Sequence, residues 1–203
     1  MVMAEATNHY FKHLGVSDGL SQVCIPSIYQ DELGAVWLGT TEGLNRYNGK
    51  DVKVFQPSES NHGLTNNEIN ELCGDKNGRM YIRSGNDLIK LDIYTEQFTC
   101  LRQKGVYGLF CKKDTLWVSC ADGIYYYTGQ GTELTFFARV QKGFVGRALY
   151  VDKETVWVVT RKYLVAISRE DPLRQEILLT LDKGNCILGD SSGNIWVGAL
   201  NGL

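Results

Sequence analysis

The sequence predicts an all-β fold, a β-propeller of four-stranded antiparallel blades. Three observations predict it: a repeat of about forty residues, short strand-like runs inside each repeat, and turns rich in Gly, Asn and Asp. Each repeat carries an aromatic residue inside a short apolar run, at Trp37, Tyr81, Trp117, Trp157 and Trp196, with separations of 44, 36, 40 and 39 residues. A period near forty is typical of either a propeller blade or a helical repeat.

The local pattern favours strands over helices. In the first unit, strands are predicted at 25–30, 36–39, 44–47 and 52–55, separated by polar, glycine-containing turns. No apolar stripe of helical period is present, and of the three prolines only Pro26 falls inside a predicted run, as its second residue. We expect hairpin turns at Asp31–Gly34 and Asn48–Gly49, where Asx side chains and glycine suit the backbone.

The repeats divide the chain into predicted units. We expect a disordered or vector-derived leader at 1–9, an isolated strand at 10–14, and a partial propeller over 10–203. The predicted blades lie at 22–60, 64–102, 104–140, 144–182 and, incomplete, 184–203. Because the fifth unit stops as its third strand begins, the sequence looks truncated, and we expect about four and a half blades of a larger ring.

Composition is that of an ordinary soluble domain and excludes several classes. The 21 basic residues are dispersed among 23 acidic ones, and the net charge is −2. A nucleic-acid module would show a basic stripe, so we expect no nucleic acid to be bound by this segment. No apolar stretch approaches the roughly 18 residues of a membrane span. The first residues, Met1–Ala6, lack the features of a signal peptide.

Candidate catalytic and metal-binding residues are few. The histidines His9, His13 and His62 lie in predicted strand and turn segments, so we expect no metal or cofactor. Turn aspartates are expected to cap their hairpin backbones rather than to catalyse, at Asp31, Asp75 and Asp190. The cysteines form no C-x-x-C pair, and we favour free buried thiols while leaving disulfides open, at Cys24, Cys73, Cys100, Cys111, Cys120 and Cys186.

The first unit carries a family resemblance. Gly19–Ser21, Ile28–Asp31, Gly34–Thr40 and Glu42–Gly49 together resemble the first blade of a two-component regulator propeller. The segment Leu64–Ile69 is similar to the entry into the second blade of that family. The resemblance extends over 11–203 but is weaker in the third and fourth units, where Gly-Thr after the aromatic becomes Ser-Cys and Val-Thr.

The resemblance implies a sensor. Propellers of this kind form the periplasmic region of hybrid two-component systems in Bacteroides and relatives, where seven-bladed rings precede a β-sandwich, a membrane span and a histidine kinase. The implied ligand is an oligosaccharide, and the implied response is transcription of polysaccharide-utilisation genes. The implied partners are the rest of the same polypeptide and a second copy in a homodimer. This segment would supply recognition and no enzyme activity.

Candidate ligand residues lie where loops between second and third strands would share one face with the links between blades. The best mixture of basic and aromatic groups is predicted at Arg83, Arg161, Lys162 and Tyr163. Further polar candidates are Asn86, Asp87 and Asp122, and Arg46 is assigned equally to ligand contact or structural bracing. Convergence of several basic residues would favour an acidic saccharide. The five repeat aromatics are expected to pack between adjacent blades.

Two other function classes stay open from the sequence. A protein-interaction scaffold would present a broad flat surface without a pocket. A propeller lyase or hydrolase would need histidine and carboxylate groups that converge on the axial face.

Overall fold

The computed structural model describes residues 12–57, 63–200 and 202. Within them, 18 strands form four four-stranded antiparallel sheets and one two-stranded sheet, which confirms the predicted all-β class. Blade 1 consists of β1 (Ser27–Gln30), β2 (Val36–Thr40), β3 (Gly43–Tyr47) and β4 (Val52–Phe55). Blade 2 consists of β5 (Ile69–Gly74), β6 (Arg79–Ser84), β7 (Asp87–Asp92) and β8 (Gln97–Arg102).

The remaining strands continue the same order. Blade 3 consists of β9 (Val106–Lys112), β10 (Thr115–Cys120), β11 (Gly123–Tyr127) and β12 (Thr135–Ala138). Blade 4 consists of β13 (Gly146–Val151), β14 (Thr155–Thr160), β15 (Tyr163–Ser168) and β16 (Gln175–Thr180). Sheet 5 consists of β17 (Cys186–Gly189) and β18 (Ile195–Gly198). Two 3₁₀ turns lie at Val16–Asp18 and Gln141–Gly143.

The strand predicted at 10–14 is not formed where the structure can be compared with it. Residues 12–14 have no regular structure, and positions 10–11 lie outside the described residues. The predicted leader at 1–9 and the end of the predicted first unit at 58–60 also lie outside them. A strand needs a partner ladder, and no described strand pairs with this segment. Lys12 instead donates a hydrogen bond to the Tyr47 hydroxyl at 3.0 Å.

The sheets are arranged around a common axis. The first strand of each sheet lies beside the first strand of the next, β1 with β5, β5 with β9, β9 with β13 and β13 with β17. The chain therefore enters each blade at its innermost strand and moves outward, as a propeller requires.

The hydrophobic core consists of layers between adjacent blades. Trp37 is fully buried against Ile69 and Met80 of blade 2, and Tyr81 against Val106 of blade 3. Trp117 packs on the blade 4 strands in the same way. The first three repeat aromatics therefore pack between adjacent blades. Trp196 is 50% exposed, because within the described residues no further sheet covers its face.

The turn aspartates cap their hairpins as predicted. Asp31 Oδ1 accepts hydrogen bonds from the amides of Leu33 at 3.0 Å and Ala35 at 2.8 Å. Its second oxygen accepts the Trp37 indole N–H at 2.8 Å, a contact that the sequence analysis did not predict. In blade 2 a tyrosine replaces the tryptophan, and the Arg79 guanidinium donates to Asp75 instead.

The cysteines are all free, and their burial differs from expectation. Cys120 is buried, and Cys73, Cys100 and Cys111 are partly buried. Cys24, in the segment before β1, and Cys186, on the inner strand β17, are exposed, and β17 has a neighbouring inner strand on one side only.

Candidate functional site

One face of the propeller carries both the loops between second and third strands and the links between blades. Backbone hydrogen bonds tie each loop to the adjacent link: Gly85 N–H to Glu68 O at 2.7 Å, Ala121 N–H to Gly105 O at 2.8 Å, and Leu181 N–H to Lys162 O at 2.7 Å. The predicted loops therefore do share one face, and we call it the loop face.

Two adjoining cavities open on the loop face near blade 4. The first, of about 430 Å³, is lined by Tyr107, Gly143, Phe144, Val145, Arg147, Thr160, Arg161 and Lys162. The second, of about 500 Å³, is lined by Arg147, Arg161, Lys183, Gly184, Asn185, Cys186, Gly198, Ala199 and Leu200. Because Arg147 and Arg161 line both cavities, we treat them as one two-part site, the basic cleft. Volumes of this size suit a small-molecule ligand.

Irregular strand pairing places two of the lining residues. Gly146 pairs with Thr160 and Ala148 with Val159, so Arg147 is the extra residue of a β-bulge on the inner strand of blade 4. Tyr107 is the extra residue at the same position in blade 3. A bulge re-aims a side chain that a regular ladder would direct elsewhere, and bulges are frequent beside functional sites.

Backbone contacts fix the loop that supplies Arg161 and Lys162. The Arg161 carbonyl accepts from Gly184 N–H at 3.1 Å, and the Lys162 carbonyl accepts from Leu181 N–H at 2.7 Å. Position 184 has no room for a side chain, since a Cβ there would lie 2.5 Å from Thr160 O. The side chains at 161 and 162 therefore project from a loop held by hydrogen bonds on the link to sheet 5.

The aromatic part of the cleft comes from two elements. Phe144, in the link before β13, packs its ring on Tyr163 with centroids 4.9 Å apart. Tyr107 on β9 is 36% exposed at the cavity wall. Of the predicted site residues, Arg161 and Lys162 thus line the cleft, and Tyr163 supports its wall.

Arg83 lies outside the basic cleft. Its Nε is 3.4 Å from Glu71 Oε2, and its Nη1 donates to the Gly85 carbonyl at 3.3 Å. Glu71 also accepts the Leu109 amide at 3.1 Å, so the pair joins blade 2 to blade 3. Burial raises the pKa of Glu71 to about 7, although the Arg83 charge and the Leu109 amide both favour the carboxylate.

The acidic and amide candidates form hydrogen bonds with other residues of the protein. Asp122 accepts from Arg102 at 2.7 Å and from the Tyr125 hydroxyl at 2.8 Å. Burial works against ionisation of Asp122, but these hydrogen bonds outweigh it and leave the pKa of that carboxyl below its ordinary value. Asp87 accepts the Lys104 amide at 2.6 Å, and the Asn86 carbonyl accepts the Val106 amide at 3.0 Å.

Arg46 occupies a bracing position. Its guanidinium lies 5.5 Å from the centre of the Trp37 ring and 3.3 Å from Glu96, in the last hairpin of blade 2. The structure therefore places Arg46 in contacts between blades 1 and 2 rather than in the basic cleft.

Sequence reasoning missed Tyr107, Arg147 and Lys183. Tyr107 and Arg147 lie on inner strands, whereas the predicted candidates lie in the loops between second and third strands or on those strands themselves. One signal could have found them: each precedes a small residue, Gly108 or Ala148, near the start of an inner strand. That signal becomes informative only once the bulges are seen.

Within the part of the chain that the structure describes, no three His, Cys, Asp or Glu side chains are grouped so as to hold a metal ion. No helix in the described ranges has the length and apolar character needed to cross a membrane.

The comparisons with known proteins agree with this architecture. Residues 19–42 match the family model described as two component regulator propeller. Residues 19–42 are thus similar to one repeat of that family. This match covers much of the motif that the sequence analysis identified, so the predicted family resemblance is confirmed. A 53-residue stretch is also 40% identical to histidine kinase P4 of Formosa agariphila, covering 26% of this chain and 4% of that protein.

Solved structures support the propeller repeat over nearly the whole chain. The extracellular domain of the putative hybrid two component system BT3049 from B. thetaiotaomicron superposes with a TM-score of 0.80 at 23% identity. That of BT4673 from the same organism superposes with a TM-score of 0.69 at 20% identity. The alignments cover 93% and 87% of this chain. The chain spans only 29% and 25% of those two structures, and the similarity at these identities concerns the fold.

Proposed function

We propose that this chain is part of the sensory region of a two-component receptor, on the periplasmic side of the inner membrane, and that its basic cleft binds a glycan fragment. The propeller repeat and the similarity to a histidine kinase support the sensory role. The observation that carries the ligand site is the cleft itself, because it combines aromatic rings with hydrogen-bond donors on a rigid face.

Binding would be transmitted through other parts of the receptor. In this proposal, the chain contributes recognition and no catalysis, and the response is transcription of polysaccharide-utilisation genes. A homodimer with a kinase in the same polypeptide would convert the binding into a signal. Such coupling requires two receptor states with different ligand affinity.

The test is calorimetric titration of the ectodomain that contains this chain with neutral and acidic oligosaccharides. We expect saturable binding of one glycan class and at least about tenfold weaker binding in Tyr107→Ala, because a stacking ring is removed. Tyr94→Ala is the matched control, since Tyr94 is 61% exposed and lies outside the cleft. No binding of any glycan by folded ectodomain would reject the glycan proposal and favour a protein-interaction scaffold.

A further inference from the structure

The charges in the basic cleft are unbalanced. Arg147, Arg161, Lys162 and Lys183 line its two parts, and no acidic residue lines either part. The whole chain has a net charge of −2, so this local excess runs against the composition. By contrast, the cavity near the outer hairpin of blade 4 alternates Lys153, Arg169 and Arg174 with three glutamates.

These basic side chains are also free of ion pairs. Four other arginines, Arg46, Arg79, Arg83 and Arg102, each lie within 4.0 Å of a carboxylate. Among the described residues, no carboxylate lies within that distance of any of the four basic groups in the cleft. All four are exposed, so their donors face solvent and are available to a ligand.

Two arginines lie where the two parts of the basic cleft meet. Arg147 and Arg161 line both parts of the cleft, while Tyr107 and Phe144 line the first part and Lys183 the second. Guanidinium groups bind carboxylate or sulfate oxygens in a planar, bidentate way that a lysine cannot reproduce. Rings beside them offer a surface for the apolar face of a sugar.

We propose that the basic cleft selects acidic oligosaccharides, with a carboxylate or sulfate group held between Arg147 and Arg161 and a neighbouring sugar ring against Tyr107 and Phe144. This inference rests on the proposed function and narrows it to one ligand class. Lys162 and Lys183 provide the charge that attracts further acidic units along the two parts of the cleft. The combination of arginine pair and aromatic wall distinguishes such a ligand from a free inorganic anion.

The experiment compares acidic with uncharged oligosaccharides built from galactose-type sugars. The ectodomain that contains this chain is titrated calorimetrically with oligogalacturonate, with sulfated carrageenan oligosaccharides and with uncharged galacto-oligosaccharides of equal length. We expect one or both acidic ligands to bind at least about tenfold more tightly than the neutral one. Raising the salt concentration from 50 to 200 mM should weaken the acidic ligands selectively, because screening reduces charge attraction.

Variants assign the selectivity to the cleft. Arg147→Ala and Arg161→Ala should each weaken the acidic ligand by at least about tenfold, and Arg161→Lys should keep part of the binding, since charge remains but the bidentate geometry is gone. Arg139→Ala is the control, because Arg139 is also exposed and lines neither part of the cleft. Circular dichroism of each variant verifies that it is folded.

The outcomes separate the two proposals. Equal or tighter binding of the neutral ligand overturns the acidic selectivity and leaves the glycan sensor standing. If both arginine variants bind the acidic ligands as tightly as the wild type, the acidic selectivity of the cleft is also overturned, because other residues then recognise the ligand's charge. Displacement by inorganic sulfate at the same affinity would reduce the cleft to a simple anion site. Failure of every saccharide to bind folded protein rejects the proposed function itself.

Discussion

At the residue scale, one buried carboxylate organises both a turn and an aromatic anchor. Asp31 is 4% exposed and accepts two amides and the Trp37 indole N–H. A side chain cannot be removed from such a network without leaving buried donors unsatisfied. The same arrangement recurs at Asp190 with Trp196, where it is exposed to water.

The two aspartates form a matched pair for mutation. We expect Asp31→Ala to lower the free energy of unfolding by about 2–4 kcal/mol, because the Ala35 amide and the Trp37 indole N–H lose their acceptor in a buried site. Asp190→Ala removes a similar set of bonds where water can replace them, and its effect should be clearly smaller. Urea denaturation followed by circular dichroism measures both. Equal decreases in unfolding free energy for the two variants would show that burial of the aspartate does not determine the size of the decrease.

Glu71 gives a pH dependence of known sign. Its pKa is raised from 4.5 to about 7 in the folded protein, so between these values the native state binds more protons than the unfolded state. Stability from this residue is full below pH 4.5 and is lost as the pH rises through about 7. We expect the unfolding free energy of the wild type, relative to Glu71→Gln, to fall by about 2 kcal/mol between pH 5 and pH 8.

The control for this measurement is Glu68→Gln. Glu68 is exposed and three residues away, and its side chain faces water. Its difference from wild type should stay constant over the same pH range. A constant difference for Glu71→Gln as well would contradict the raised pKa.

At the element scale, two of the four pairs of neighbouring inner strands follow one packing rule. The side chain of Tyr29 on β1 lies over Gly74 on β5, and Tyr150 on β13 lies over Gly189 on β17. A large side chain on one inner strand thus faces a glycine on the next. The rule explains why these glycines occur inside strands, where glycine otherwise weakens the ladder.

Filling one of these glycine positions should be destabilising. A Cβ at position 74 would lie 2.3 Å from the Tyr29 hydroxyl oxygen and 3.0 Å from Arg79 O, so neighbouring atoms must move. We expect Gly74→Ala to lower the unfolding free energy by about 1–3 kcal/mol, and Tyr29→Leu in the same chain to restore part of it. Gly15→Ala, whose Cβ would meet nothing closer than 3.8 Å, should change stability by less than about 0.5 kcal/mol. If the effects of Gly74→Ala and Tyr29→Leu on the unfolding free energy were simply additive, the contact between these two positions would be contradicted.

At the scale of the whole molecule, stability is distributed between neighbouring sheets. Each blade is buried by the next, so the layers between blades 1 and 4 are closed, while sheet 5 has one open face in the described residues. In repeat architectures of this type, a sheet with fewer neighbours opens more easily.

Tryptophan fluorescence reports this difference directly. In the 203-residue chain, acrylamide should quench Trp196, which is 50% exposed, and leave Trp37, which is fully buried, protected. Trp196→Phe should therefore remove most of the quenchable signal, and Trp37→Phe should remove signal that resists quenching. Hydrogen exchange should likewise be fastest in β17 and β18. Equal quenching of both residues would contradict the closed layer around Trp37.

The sequence by itself determined the architecture, because the strands and turns that define a propeller blade depend on short-range sequence patterns. Alternating runs, turn aspartates and the forty-residue period indicated four strands per unit, and the first blade was predicted to within two residues at each strand end. The capping role of Asp31 followed from its position in a hairpin. Arg161 and Lys162 were found for the same reason, since they lie in a turn that the period locates.

Only the tertiary structure decided which residues share a site. Arg83 and Arg161 look equivalent in sequence, yet Arg83 is held by Glu71 between blades 2 and 3, whereas Arg161 meets Arg147 in an open cleft. Arg147 and Tyr107 reach that cleft through bulges, which arise from the pairing of strands and leave almost no local signature. Neighbouring residues determine the turns and strands, but which side chains meet in one site depends on how adjacent blades pack.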